Sequence, residues 1–74
     1  MTYFEAVSIE QDLIVAMQYA EVLHKTPVEA LKEKAGEYTN EQLAEVYRVI
    51  KAKKKEELAT LKQLLVLAVR SKDL

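Results

Sequence analysis

No cysteine occurs anywhere in the chain, which excludes disulfide staples, thiolate zinc sites and a cysteine nucleophile. Glycine, proline and histidine occur once each, and no Gly-rich phosphate loop can be assembled. Long apolar runs are also missing. Uncharged stretches such as residues 63–69 fall far short of the roughly 20 residues that span a bilayer. The opening MTYFEAV lacks the basic and apolar regions of an export signal. The expectation is a soluble, cytoplasmic protein with no membrane partner.

What is present is the vocabulary of helices: Ala, Leu, Glu, Lys and Gln dominate, and 50% of the 74 residues are hydrophobic. A chain of this length has room for one domain, residues 1–74, and buries only about 60% of its unfolded surface, so a partner chain is a natural source of stability. The net charge of −1 hides an asymmetry. Residues 1–47 carry nine acids and three bases, whereas residues 48–74 carry eight bases and three acids. The two ends attract each other, or each other's copies.

Three capping boxes mark helix starts. In such a box a Ser or Thr hydroxyl accepts the N3 amide proton, and a Glu or Gln at N3 accepts from the cap's own N–H. Ser8-Ile9-Glu10-Gln11, Thr26-Pro27-Val28-Glu29 and Thr39-Asn40-Glu41-Gln42 all fit. Pro27 sits at the favoured first helical position, and Tyr38 and Leu43 are spaced as a hydrophobic staple. Thr26, preceding proline, ends the first helix, and Gly36 is placed to close the second in a left-handed conformation. The predicted fold is an all-α bundle of three helices, at about 9–25, 27–35 and 40–71. Residues 1–7 either pack over a bundle end through Tyr3 and Phe4 or fray.

On the first helix Ile9, Leu13, Ala16, Met17, Ala20, Leu23 and His24 form the main stripe, while Val15, Tyr19 and Val22 form a second apolar row. On the third, Leu43, Val46, Tyr47 and Ile50 make a clean stripe that resumes with Leu58, Leu61, Leu64, Leu65 and Ala68. Between the two parts the same face carries Lys53, Lys54 and Glu57, which cannot be buried unpaired. A helix of about 32 residues is about 48 Å long, whereas a compact chain of this size has a radius of gyration of about 11 Å. Two arrangements bury the second part: a bend near 53–55 that folds it back, or a straight helix packed against a second copy. Bends usually come with Pro, Gly or a bulge, so the straight helix is preferred. Leu58, Leu61, Leu64, Leu65 and Ala68 then form the interface of a homodimeric, intersubunit bundle.

Two motifs suggest chemistry. Glu21-Val22-Leu23-His24 resembles one fragment of the E-x-x-H motif of ferritin-like di-iron proteins. The chain has a single histidine, so no metal site or cofactor is expected. Arg48, Lys51, Lys55 and Lys62 share one helix face at spacings suited to phosphate or an acidic partner. As a helix-turn-helix, however, the recognition helix would open with Glu41 and Glu45, which repel phosphate. With two serines, one already a cap, and acid pairs on exposed faces, no enzyme is expected. The sequence reading is a small, non-enzymatic protein–protein interaction module, an adaptor, assembly chaperone, inhibitor or regulatory subunit, that acts as a homo-oligomer. Val15, Tyr19 and Val22 would contact the partner protein. A nucleic-acid-binding regulator using the basic stripe is the second reading.

Overall fold

The computed structural model describes residues 1–56 and 58–74, which form four helices: α1 Tyr3–Gln18, α2 Pro27–Ala35, α3 Asn40–Lys53 and α4 Leu58–Ser71. Two of the three expected capping boxes stand where the sequence put them. Thr26 Oγ1 accepts from Glu29 N at 3.2 Å, and Thr39 Oγ1 accepts from Gln42 N at 3.0 Å. Each N3 side chain returns the bond to the cap's backbone N–H. The hydrogen bonds from the Thr26 side chain and backbone hold the Glu29 carboxyl below its usual range.

The first helix corrects the sequence reading at both ends. It starts at Tyr3, capped by Thr2, whose hydroxyl accepts from Glu5 N at 3.1 Å. Thr2-Tyr3-Phe4-Glu5 is the same box written six residues before Ser8, and the earlier start buries Ala6 and gives Ile9 a turn beneath it. Ser8 lies inside the helix. Phe4, expected as an anchor, is 80% exposed, while Tyr3 stacks under the Lys53 ammonium at 5.1 Å. Regular helix ends at Gln18, well before residue 25, and tight turns carry the chain on to His24. There Lys25 N donates to Ala20 O at 2.9 Å and His24 N to Glu21 O at 3.0 Å. This is a Schellman closure. The left-handed residue it needs is His24, with φ of 58°, in the absence of glycine. Gly36, by contrast, keeps a right-handed φ of −63°. α2 closes instead by tightening, with Glu37 N donating to Lys34 O and Tyr38 N to Ala35 O.

The predicted 40–71 helix is divided, and the division falls at the bend the sequence allowed. Lys54 is extended, with φ −123° and ψ 122°, and its N–H closes α3 on Ile50 O at 2.8 Å. In the single chain the helix folds back here and does not run straight: the longest dimension of the chain is 36 Å and its radius of gyration 11.9 Å, too short for a helix of about 48 Å. No proline or glycine makes the break. The break coincides with the charge order Lys53-Lys54-Lys55-Glu56-Glu57, cations at the C-terminus of α3 and anions before the N-terminus of α4. Each end thereby meets the charge its dipole favours. Of the residues the sequence placed on this face, Lys53 and Lys54 are exposed and Glu57 lies outside the described residues.

α1 packs on α2 and α3, and α4 packs on the same two helices from the opposite side. The core runs through all four: Ala6, Ile9 and Leu13; Leu31 and Ala35; Leu43, Val46 and Ile50; Leu61, Leu65 and Ala68. Tyr38 packs against this core and donates its hydroxyl to Asp12 Oδ2 at 2.9 Å, tying the α2–α3 connection to α1. Burial, and next the bond to Asp12, push the Tyr38 phenol up from its ordinary 10 to about 12. The unfolded chain therefore loses this proton first. The stability contributed by neutral Tyr38 is complete below about pH 10 and is lost as pH rises to about 12. Tyr38→Phe is expected to cost about 1 kcal/mol at neutral pH and to flatten this alkaline loss. Urea midpoints of both proteins across that range check it.

Candidate functional site

α3 and α4 run back to back across the four-residue connection, and their outer flanks do not close on each other. They leave an open groove of about 450 Å³. Its floor is Leu43, Ala44 and Tyr47 from α3 with Leu65, Val66 and Val69 from α4, and Arg48, Lys62 and Arg70 stand along its rim. The local sequence explains this lining. Lys62, Val66 and Arg70 fall at i, i+4 and i+8 on α4, so a valine is bracketed by two cations on one side of the helix. On α3, Ala44 and Arg48 stand one turn apart.

The electrostatics of the groove are one-sided. Among the described residues the ion pairs are those of the N-terminal amine with Glu45, Lys25 with Glu33 and Lys34 with Glu37, so none of the three rim cations is neutralised there. Val66 is 40% exposed. The groove is an apolar strip edged by three cations, which complements an apolar ligand edged with carboxylates.

The residues expected from sequence are distributed as follows. Arg48 and Lys62 come together on the groove rim, because the break folds one part of the basic stripe onto the other. Lys51 is exposed and lies over the Tyr47 ring at 5.8 Å from its centroid, and Lys55 is exposed in the connection. Val15, Tyr19 and Val22 are all exposed, at 44%, 58% and 70%. They form a ridge along α1 and the turn that follows. Leu61, Leu65 and Ala68 are buried in the chain's own core, with Leu58 and Leu64 partly buried against it. Glu21 and His24 are exposed in the turn after α1, not on a helix face, and among the described residues no group of three or more His, Asp or Glu is placed to hold a metal ion. Among these residues no helix is long and apolar enough to cross a membrane.

Sequence reasoning missed Arg70 and the apolar floor. The i, i+4, i+8 row on α4 was a usable signal for Arg70. The floor had none, because it exists only once α3 and α4 lie antiparallel. Comparison with family models, curated proteins and solved structures finds no match to this chain.

Proposed function

We propose that this chain is a non-enzymatic protein–protein interaction module whose docking surface is the α3–α4 groove, and that its ligand is an acidic amphipathic helix of a partner protein. The observation that carries the reading is the juxtaposition of an apolar floor with three cations, Arg48, Lys62 and Arg70, that form no ion pair among the described residues. A helix laid in such a groove buries its apolar face and sets acidic flanks against the rim. The roles of adaptor, inhibitor, assembly chaperone and regulatory subunit all use this contact. The exposed ridge of Val15, Tyr19 and Val22 lies among acids, Asp12 and Glu21, and serves as a second contact of opposite sign. Homo-oligomerisation belongs to the same proposal.

The test uses a designed 18-residue helical peptide with leucines at i, i+3, i+4 and i+7 spacing and glutamates elsewhere, titrated into labelled protein by NMR. The expected result is that amide shifts concentrate at Tyr47, Val66 and Val69, and that the lysine counterpart of the peptide leaves them unmoved. Val66→Glu is expected to weaken binding at least about tenfold, equivalent to about 1.4 kcal/mol. Shifts spread over α1, or equal response to both peptides, would sink the groove. Retention of generic duplex DNA with affinity falling steeply in salt would favour the nucleic-acid reading instead.

A further inference from the structure

The connection between α3 and α4 holds more than a turn. Residues 51–58, Lys-Ala-Lys-Lys-Lys-Glu-Glu-Leu, are all strong helix formers. Neither Gly, Pro nor Asn stops the helix, and neither Ser, Thr, Asp nor Asn stands just before Leu58 to cap a new one. Lys54 occupies ordinary extended backbone. Beneath the connection a cleft of about 410 Å³ separates α1 from the start of α4, lined in part by Val7, Ile14, Leu58 and Leu64. In the first turn of α4, Leu61 is buried while Leu58 is only partly covered.

The two helices also mirror one another in part. Each has 14 residues, and their buried apolar positions are symmetric about the Lys55–Glu56 bond: Ile50 against Leu61, Val46 against Leu65, Leu43 against Ala68; buried Ser71 of α4 has exposed Asn40 as its counterpart. Two continuous helices crossing antiparallel at that bond would set α3 of one copy beside α4 of the other with these mirrored positions level.

From this mirror we infer that α4 exchanges between two copies, residues 40–71 straightening into one helix and each α4 filling the other copy's seat on α2 and α3. The core contacts are conserved in the exchange, and the helix gains the backbone hydrogen bonds missing at the break. What holds the folded-back form is the charge order at the two helix ends, which salt screens, together with the concentration cost of pairing. Each groove of the intertwined dimer is composite, with Ala44 and Arg48 from one copy and Lys62, Val66 and Arg70 from the other. This inference stands on the hinge and the core register, independently of what the groove binds.

Light scattering across a range of concentrations, at low and high salt, gives the oligomeric state of three proteins. Wild type is expected to form dimers increasingly with concentration and salt. Lys54→Ala/Lys55→Ala/Glu56→Ala is expected to tighten the dimer at least about tenfold, since alanine strengthens the helix and removes the charges that favour its break. Lys55→Pro is expected to remain monomeric with unchanged helical circular dichroism, because proline requires the extended residue already present at Lys54 and forbids the continuous helix. The chain lacks cysteine, so Asn40→Cys/Arg70→Cys accepts two spin labels cleanly. Both positions line one groove in the folded-back chain, and they lie roughly 45 Å apart along a continuous helix. Dimers of labelled chain diluted in unlabelled chain are expected to show the long distance. A short distance in the dimer, a dimer insensitive to Lys55→Pro, or monomer for wild type and the alanine variant throughout would each overturn the exchange.

Discussion

Replacing Leu61 by Glu is expected to abolish the helical circular dichroism of the chain at neutral pH. Leu61 is 4% exposed and belongs to the core that α4 shares with α2 and α3. A carboxylate there has no cation among the residues of that core, so it must either be taken up protonated or be hydrated by pulling α4 away. Removing the partner of a buried charge costs about 3–5 kcal/mol, and a carboxylate introduced without one is no cheaper. Against a total stability of roughly 4–11 kcal/mol for a chain of this length, and near the low end for so small a domain, that loss is decisive. Exchange of α4 offers no escape, since Leu61 occupies the same seat in both forms. Circular dichroism and a urea titration check the result. A variant that stays folded but changes only its molar mass would show that Leu61 faces a subunit contact and not the chain's own core.

The second large effect separates two positions on the first helical segment. Leu13→Ala is expected to cost about 2–5 kcal/mol, the lost transfer of the side chain plus the cavity it leaves between α1, α2 and α3. Leu13 has no exposed surface. Tyr19→Ala, six residues on, is expected to change stability by less than about 0.5 kcal/mol, because Tyr19 is well exposed and no core residue rests on it. Thermal or urea denaturation of the two variants side by side checks both halves. Similar losses at the two sites would place the Val15, Tyr19 and Val22 ridge in the core and remove it as a contact surface.

The difference between these two residues was only half visible in the sequence. Both belong to apolar rows of one helix, and periodicity assigned a main stripe correctly to Leu13. It could not decide how many neighbours the helix has, and two neighbours leave the second row outside. Local chemistry was read well where a single pattern applied, as with the boxes at Thr26 and Thr39. Where the same box is written twice, at Thr2 and Ser8, the winner is set by burial of Ala6 and Ile9, which is a tertiary matter. The division of the third helix was located near 53–55 but not preferred, because breaks were sought as Pro or Gly, while this one coincides with a sign change in charge. The groove follows from that division. Arg48 and Lys62 were legible as one stripe on a straight helix, and they share a site for a different reason: the chain turns back between them.

The placement of α4 also has a temporal side. It is made after the helices it packs against, and it supplies the last layer of the core, Leu61, Leu65 and Ala68. Because synthesis runs from the N-terminus, the seat on α2 and α3 is written before α4 exists. A chain whose α4 is missing or displaced presents Leu31, Leu43, Val46 and Ile50 as an apolar surface without its last layer.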